Sequence, residues 1–334
     1  MIGAGLQATR LGSAIIDSNR SVLVCLTDKK KELASNLARS FHCSVVDDWK
    51  EVINSGVDAV VICVPPYLHA EISLQAMKKG IHVLCEKPIS YSTDEALKMI
   101  KVSEEKKVIL QIGFNHRYHQ GIRQVKKWHD DGQIGKIRFI RSVYGIGARP
   151  GIKDEWRSDP GIIAGGQLME QGIHCIDLMR WFVGDPSEVI CFTSKPSSII
   201  EPLEDNTFVT FRTREDQLIN IHSSLYQWKN HFSFEVYGTK GYASVFGLGG
   251  SYEKEKAILG IKDSFAPFSE KVIEYRDNDK SWKLQWEDFV NSITNKKEVL
   301  VSGNDGYEAL RLVFAAYQAD HERKSIKLEK DESK

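Results

Sequence analysis

The most constraining stretch of the sequence is a short apolar strand that runs directly into a charged pair and a proline. Residues 81–85 read Ile-His-Val-Leu-Cys and are followed by Glu86, Lys87 and Pro88. A short β-branched run after a helix-like segment is typical of a buried parallel strand, and ligands bind beyond the carboxyl ends of such strands. Because Pro88 restricts Lys87 to extended backbone, the sequence predicts a stiffly held ammonium at a ligand site. The alternative is a solvated Glu–Lys pair that closes the strand.

Strand and helix alternate before this stretch. Residues 57–64 form the clearest apolar strand, which ends at Val64 and Pro65. A helical pattern over residues 70–79 then leads to the lysine strand. Strand, helix and strand at these spacings form a βαβ unit, so we predict an α/β fold with a doubly wound parallel (Rossmann) sheet. His69 stands just before the helix and either contacts a cofactor or satisfies local backbone groups.

The first residues of the chain contain a glycine-rich turn. Gly3, Gly5 and Ala8 make the pattern Gly-x-Gly-x-x-Ala, and a helical pattern follows. In a dinucleotide site the first glycine permits a tight turn, the second leaves room for a pyrophosphate, and the helix N-terminus attracts the phosphate charge. The predicted cofactor contacts in this turn are Gly3, Gly5, Leu6, Gln7 and Ala8. Because only Met1 and Ile2 precede the turn, we expect the first strand to be truncated and further apolar residues upstream to stabilise it.

An acidic residue follows the second apolar strand. Asp28 lies 25 residues after Gly3, which is roughly the spacing of the acid that binds an adenosine ribose. A carboxylate there accepts hydrogen bonds from both ribose hydroxyls and repels a 2′-phosphate, so we predict NAD as the cofactor. The three lysines at residues 29–31 tolerate a phosphate, and NADP therefore stays possible.

A second group of chemically capable residues lies in the second half of the chain. Glu170, His174 and Asp177 are spaced four and three residues apart, which places them on one face of a helix. A histidine beside a carboxylate can remove a hydroxyl proton. The same offsets suit a metal site, although no H-E-x-x-H repeat is present. A structural histidine at a helix start is the third interpretation.

The pattern of the chain changes after Arg117, and we place the domain boundary at Tyr118. Residues 1–118 are predicted to form an NAD(P)-binding Rossmann domain, and residues 119–334 a substrate-binding and oligomerisation domain. Residues 303–321 have the pattern of an amphipathic helix that packs back on the first domain.

Two further features of the second half bear on its fold and its ligand. Residues 189–245 alternate apolar and polar side chains, as strands do, which predicts a sheet joined by tight turns. A polar loop earlier in the chain contains Trp156 and Arg157, and these two side chains suit a sugar or a phosphate. A surface loop with no ligand is the alternative.

Charge and cysteine usage argue against several classes of partner. The chain has 45 basic and 45 acidic residues, so we expect no broad attraction to nucleic acid or anionic lipid. Its six cysteines include no C-x-x-C pair, and most lie in apolar runs, which favours reduced thiols and a cytoplasmic location. No apolar run reaches the length of a membrane-spanning helix. We therefore expect a cytoplasmic protein with a small-molecule partner.

The glycine turn, the Pro65–His69 segment and the Glu86-Lys87-Pro88 triplet together resemble the glucose-fructose oxidoreductase, inositol dehydrogenase and MocA (Gfo/Idh/MocA) family. The triplet is the most specific of these signatures, and the resemblance covers nearly the whole chain. It implies a Rossmann domain followed by an α/β domain with an open, mostly antiparallel sheet. It also implies a homo-oligomer that forms through this sheet.

The resemblance also implies roles for individual residues. Lys87 is expected near the nicotinamide and the substrate hydroxyl, and His174 matches the base in the family pattern Asp-x-Gly-x-His-x-x-Asp. Glu170 is longer than the acid of that pattern, which leaves its role open. The predicted catalytic residues are Lys87, His174, Glu170 and Asp177. The predicted cofactor contacts outside the glycine turn are Asp28, Val64, Pro65, His69, Glu86 and Lys87. The predicted substrate contacts are Asn115, Arg117, Trp156 and Arg157.

These residues predict an NAD-preferring oxidoreductase that acts on CH–OH groups of a sugar, cyclitol or sugar-nucleotide. In this mechanism His174 removes the hydroxyl proton and Lys87 polarises the same oxygen, so both must reach one substrate group. Two other classes stay open. One is a nucleotide-binding sensor or pseudoenzyme with the same fold, and the other is a metal-dependent hydrolase.

Overall fold

The computed structural model describes residues 1–148, 150–196, 200–261, 269–276 and 278–329. The chain divides into two compact units. The nucleotide unit comprises Met1–Tyr118 and Lys280–Leu310, and the sheet unit comprises His119–Asp279 and Arg311–Lys334.

The helices and strands follow one another along both units. The α-helices of the described residues are α1 (Leu6–Ser18), α2 (Lys31–Phe41), α3 (Trp49–Asn54), α4 (His69–Lys78), α5 (Thr93–Lys106), α6 (Gln120–Asp130), α7 (Ile173–Val183), α8 (Ser281–Asn295) and α9 (Gly303–Glu322). The strands are β1 (Cys25–Leu26), β2 (Ser44–Val45), β3 (Ala59–Ile62), β4 (His82–Cys85), β5 (Leu110–Ile112), β6 (Ile137–Gly147), β7 (Glu188–Ser194), β8 (Asn206–Arg212), β9 (Leu218–Ser224), β10 (Tyr226–Gly238), β11 (Gly241–Phe246), β12 (Glu255–Ile261), β13 (Ser269–Tyr275) and β14 (Ile326–Lys327). Across the described ranges, every helix is too short or too polar to cross a membrane.

The nucleotide unit is built on parallel strands. β3, β4 and β5 pair in parallel in that order, and β1 pairs in parallel with β2. Ile2 joins the two groups, because it forms parallel bridges to Thr27 and to Ile62. The resulting order, β2–β1–Ile2–β3–β4–β5, is that of a doubly wound dinucleotide-binding sheet. The predicted Rossmann sheet is therefore confirmed, with Ile2 in the position of its first strand.

Helix α8 belongs to the nucleotide unit, although the sequence predicted that residues 119–334 form the second domain. The buried face of α8 carries Trp286 and Phe289, which lie in one hydrophobic cluster with Leu11 of α1 and Leu26 of β1. Apolar side chains at helical spacing need a matching apolar surface, and α1 presents one. The segment Lys280–Leu310 therefore returns to the first unit, which corrects the expected domain limits.

The sheet unit contains a nine-stranded sheet among its described residues, in the order β13–β12–β11–β10–β6–β9–β8–β7–β14. Neighbouring strands pair antiparallel, except that β6 and β9 pair in parallel. The predicted open, mostly antiparallel sheet is confirmed. Helix α7 packs on this sheet, where the Ser142 hydroxyl of β6 donates a hydrogen bond to the Cys175 sulfur at 3.2 Å.

Candidate functional site

The predicted cofactor residues of the nucleotide unit lie at the carboxyl edge of its parallel sheet. The glycine turn begins at Gly3, directly after Ile2 in the first-strand position. Asp28 comes after β1, Val64 after β3 and Lys87 after β4. Because parallel strands end at the same edge, the fold collects these residues where doubly wound sheets bind dinucleotides.

The glycine turn has the shape that a pyrophosphate requires. Gly3 has a φ of +102°, and a Cβ there would collide with the carbonyl group of Cys63. By contrast, no atom lies within 4 Å of the position that a Cβ would take at Gly5. Helix α1 begins at Leu6 without a side-chain cap and without an acidic residue in its first turn. Its first backbone N–H groups have no intrahelical acceptor, so this end of the helix suits an anion. The residues present therefore fit a dinucleotide.

Asp28 is tied to the glycine turn by hydrogen bonds. Its Oδ2 accepts a bond from the backbone N–H of Ala4 at 2.7 Å. Its Oδ1 accepts a bond from the backbone N–H of Lys30 at 2.8 Å. These two bonds fix the carboxylate at the end of β1, the position from which an acid binds the adenosine ribose.

Glu86 and Lys87 differ from the solvated pair that was the alternative reading of their sequence. Lys87 is half-buried and its peptide bond to Pro88 is cis. Glu86 is only 5% exposed, and its Oε2 accepts a hydrogen bond from the backbone N–H of Lys87 at 3.3 Å. A Cβ at Gly113 would lie 2.9 Å from the carboxyl carbon of Glu86. The end of β4 thus carries a buried carboxylate immediately before the lysine. Gly113, which follows the neighbouring strand β5, leaves room for this carboxylate.

His69 has structural partners at both ring nitrogens, and its contact with a cofactor stays a prediction. Its ring is fully buried, with Nδ1 2.8 Å from the carbonyl oxygen of Pro88 and Nε2 2.8 Å from that of Val64. Burial lowers the pKa of His69, and the two carbonyl groups offset part of this effect. The imidazole therefore connects the segment after β3 to the segment after Lys87, as the second interpretation of the sequence allowed.

Asn115 and Arg117 also have structural partners inside the nucleotide unit. The Asn115 amide donates a hydrogen bond to the Ser281 hydroxyl at 2.9 Å. The Arg117 guanidinium is 4% exposed, forms an ion pair with Asp305 at 2.9 Å and donates a bond to the Leu300 carbonyl at 2.9 Å. The Arg117 ion pair joins the two chain segments of this unit, and its substrate contact stays a prediction. Asn115 contacts the same second segment, Lys280–Leu310, through Ser281.

The sheet unit carries the second group of predicted residues at a helix start. Glu170 lies in a π-helical turn, Leu168–Gly172, and His174 and Asp177 lie in α7, which follows directly. His174 and Asp177 are buried, with 6% and 0% exposure. The sequence predicted one regular helical face, whereas the structure contains a wider π turn, a form that is frequent at functional sites.

His174 is held close to the sheet. A Cβ at Gly172 would lie 3.2 Å from the Cβ of Ser223 on β9, so the helix start approaches the sheet closely. The ring of Tyr144 on β6 lies 6.1 Å from the His174 ring, measured between centroids, at an angle of 58°. The sequence analysis missed Tyr144. The strand pattern of residues 137–147 was the available signal, because it predicts which side chains face the helix.

The structure brings the predicted loop residues to Glu170. The Nε of Arg157 lies 3.6 Å from the Oε2 of Glu170, and its guanidinium also pairs with Glu155 at 3.7 Å. The same guanidinium stacks on the Trp156 ring, 4.2 Å from its centroid. One cation therefore faces two carboxylates, Glu155 of the loop and Glu170 of the π turn.

Gln171 is a polar neighbour of Glu170 that the candidate residues omitted. Its Oε1 is buried and accepts no hydrogen bond from any residue that the structure describes. A buried amide oxygen without a donor costs roughly 1–3 kcal/mol. A hydroxyl group of a bound ligand would satisfy this oxygen, so Gln171 joins the candidate substrate contacts.

Two protein-family models match the chain. Residues 1–114 match the model described as "Oxidoreductase family, NAD-binding Rossmann fold". Residues 122–244 match the model described as "GFO/IDH/MocA C-terminal domain". The two matches correspond to the two kinds of sheet in the structure and together span most of the chain.

Similar proteins and solved structures cover nearly the same length. An uncharacterized oxidoreductase, YrbE, of Bacillus subtilis (strain 168) is 28% identical over 286 residues, which are 82% of this chain and 80% of YrbE. An inositol 2-dehydrogenase of Rhizobium meliloti (strain 1021) is 24% identical over 98% of both chains. The structure of a levoglucosan dehydrogenase in complex with NADH superposes with a TM-score of 0.89, at 22% identity and 98% coverage of both chains. This last likeness shows the shared fold.

Proposed function

The chain belongs to the Gfo/Idh/MocA oxidoreductase family, and from this membership we propose that it is an NAD-dependent dehydrogenase of a sugar, cyclitol or sugar-nucleotide hydroxyl. Its first domain is an NAD-binding Rossmann domain. The observation that carries the proposal is the carboxyl edge of the parallel sheet. There the open turn at Gly5, the fixed carboxylate of Asp28 and the half-buried Lys87 occur together.

The residues that hold the cofactor favour NAD over NADP. The N–H groups at the start of α1 would bind the pyrophosphate, and Asp28 would accept hydrogen bonds from the adenosine ribose. Of the three following lysines, Lys31 already forms an ion pair with Asp47 at 3.0 Å. The carboxylate of Asp28 would repel a 2′-phosphate on the adenosine ribose. The bound nicotinamide supplies or accepts the hydride.

The side chains of the protein act on the substrate hydroxyl. His174 removes its proton as a general base, and Asp177, one helical turn away, favours the protonated imidazole that results. Lys87 donates a hydrogen bond to the same oxygen and stabilises the negative charge that develops on it. Arg157 holds Glu170 in place, and Glu170 accepts hydrogen bonds from the substrate hydroxyl groups next to the one that reacts.

An uncharged polyol is the substrate class that these charges support. The Arg157 cation faces both Glu155 and Glu170, so its charge is offset and would attract a carboxylate or phosphate less strongly. The buried oxygen of Gln171 would accept a bond from a substrate hydroxyl group. The names of two relatives, an inositol 2-dehydrogenase and a levoglucosan dehydrogenase, refer to substrates of this class.

A homo-oligomer through the large sheet is part of the proposal. Phe192 and Phe208 are opposite each other on β7 and β8 and are 66% and 47% exposed. Phe139 on β6 is 42% exposed and stacks on Tyr237. An exposed apolar sheet face of this kind is typical of a subunit interface. We expect a second copy of the chain to cover it, and light scattering that gives only the mass of one chain would contradict this.

Substitution of Lys87 tests the proposed reaction. We expect Lys87→Ala to lower kcat at least ~100-fold, because the developing alkoxide loses its charged hydrogen-bond donor. The dissociation constant for NADH, measured by its fluorescence, should change little. Turnover is followed through NADH absorbance with a panel of cyclitols and neutral sugars. Lys101→Ala is the matched control, since Lys101 is an exposed lysine of α5 that pairs with Glu105 at 4.0 Å.

The possible outcomes separate the alternatives. Full turnover by Lys87→Ala would overturn the role of this lysine. A wild-type protein that binds NADH but oxidises no member of the panel would favour the nucleotide-binding sensor. Activity that needs a divalent metal and no nicotinamide would favour the hydrolase, although the described residues contain no cluster of three or more His, Cys, Asp or Glu side chains that could hold a metal.

A further inference from the structure

A buried carboxylate from a distant segment holds the start of the helix that carries Glu170 and His174. Glu204 is 6% exposed. Its Oε2 accepts a hydrogen bond from the backbone N–H of Gly166 at 2.7 Å, and its Oε1 accepts one from that of Leu168 at 3.0 Å. No mechanism given above uses this carboxylate.

Tyr317 of α9 completes this arrangement. Its hydroxyl donates a hydrogen bond to the Oε1 of Glu204 at 2.8 Å. A Cβ at Gly165 would lie 2.7 Å from the Tyr317 ring, and a Cβ at Gly166 would lie 2.8 Å from the carboxyl carbon of Glu204. The two glycines are therefore the residues that allow the tyrosine and the carboxylate to come so close.

The carboxylate does what a capping side chain does at an ordinary helix. The residue before the π turn, Gln167, makes no side-chain capping bond, and the first N–H groups of a helix have no acceptor within it. Glu204 supplies the acceptor for one of them, the N–H of Leu168, and also for the N–H of Gly166 just before the turn. Burial raises the pKa of Glu204, and the hydrogen bonds that its carboxylate accepts offset part of that effect. Burial also raises the pKa of Tyr317, which keeps its hydroxyl protonated and able to donate.

The backbone of Gln167, between Gly166 and Leu168, also forms hydrogen bonds. The N–H of Gln167 donates to the backbone carbonyl of Glu204 at 3.1 Å. The carbonyl of Gln167 accepts a bond from the Ser223 hydroxyl at 2.8 Å. The segment before the π turn thus has fixed partners on β9 and around Glu204, so a change at Glu204 would alter where the turn begins.

We propose that Glu204 and Tyr317 are positioning residues, which fix the start of the π turn and so hold Glu170 and His174 in the orientation that turnover requires. The inference rests on the proposed function, because it assigns catalytic work to that helix. Neither side chain touches the reacting atoms in this scheme. Misplacement of a catalytic group by about 1 Å can cost ~100-fold in rate, so a small shift of the helix start is enough to be measured.

The test compares two variants that each remove one hydroxyl–carboxylate hydrogen bond on α9. Tyr317→Phe removes the bond to Glu204. Thr193→Val is the matched control. The Thr193 hydroxyl donates to Asp320 of α9 at 2.6 Å, and Asp320 lies one turn after Tyr317, away from Gly165 and Gly166. We expect similar losses of melting temperature from both variants. Only Tyr317→Phe should lower kcat, by about tenfold, with an unchanged KM for NAD.

A second measurement does not depend on turnover. Hydrogen exchange of the peptide that contains the Gly166 and Leu168 amides should become faster in Tyr317→Phe and stay unchanged in Thr193→Val. Wild-type exchange and wild-type kcat in Tyr317→Phe would overturn the inference, as would equal losses of kcat in both variants. If the wild-type protein oxidises no polyol, the proposed function fails, and the exchange data still decide whether the pair holds the helix start.

Discussion

Two glycine-containing turns lead into helices in this protein, and they differ in what occupies the helix start. At the first, Gly5 faces open space and α1 begins without a side-chain cap. At the second, Gly166 lies against Glu204, whose carboxylate accepts hydrogen bonds from the N–H groups of Gly166 and Leu168. The first helix start is available to a ligand anion, whereas the second is capped by the protein itself.

The difference shows how far a glycine pattern can be interpreted. Glycine permits close approach, but the pattern does not say what approaches. In the first turn, Gly3 lets the chain pass close to the carbonyl of Cys63, and Gly5 leaves space for a ligand. In the second, both Gly165 and Gly166 make room for side chains of the same unit, Tyr317 and Glu204. Substitutions at these glycines should therefore have different effects.

The largest expected effect on stability is that of Gly166→Ala. A Cβ at Gly166 would collide with the backbone carbonyl and the carboxylate of Glu204, and the backbone there has little room to move. We expect the free energy of unfolding to fall by about 3 kcal/mol, measured by urea denaturation. A stability equal to that of the wild-type protein would show that the second turn is not filled as described.

Gly5→Ala should give the opposite result. Its φ of −80° suits alanine, and its Cβ would meet no protein atom within 4 Å. We expect stability to be unchanged or to rise by about 0.5 kcal/mol, because the unfolded chain loses freedom. NADH affinity, measured by fluorescence titration, should fall by about tenfold, since the methyl group occupies space next to the pyrophosphate. Unchanged NADH affinity would contradict the view that the space at Gly5 is used by the bound pyrophosphate.

The smallest expected effect is a pH dependence that belongs to the second turn. Because burial raises the pKa of Glu204 above its ordinary value of 4.5, the folded state binds more protons than the unfolded state just above pH 4.5. The free energy of unfolding contributed by this group is therefore highest at low pH and falls as the pH rises through the raised pKa. Urea denaturation from pH 4.5 upwards should show a weaker fall in Glu204→Gln than in the wild-type protein. Parallel pH profiles would contradict this.

Much of the nucleotide unit could be predicted because its signals are local. The βαβ spacing that leads to Lys87 and the glycine turn before α1 each lie within one continuous stretch, and neighbouring residues determine such patterns. The position of Asp28 followed from the same logic. His69 was harder to assign, because its two carbonyl partners, at Val64 and Pro88, belong to two different strand ends.

The contacts that the sequence did not predict join residues far apart in the chain. Helix α8 covers an apolar face of α1, which lies more than 260 residues earlier in the chain. Arg117 was expected to bind substrate, and its carboxylate partner is Asp305. Glu204 gave no signal as a cap, because it follows the turn that it caps by 38 residues.

The sequence by itself determined the class of the fold and the sites at which a cofactor and a proton acceptor are to be sought, since periodicity and turn chemistry depend on neighbours along the chain. The tertiary structure decided which polar side chains are used internally and which remain for a ligand. Hydrogen bonds and ion pairs depend on distances in space, and chain folding brings Glu204 to Gly166 and Asp305 to Arg117. Burial then makes each such pairing obligatory, because a polar group removed from water must find its partner inside the protein.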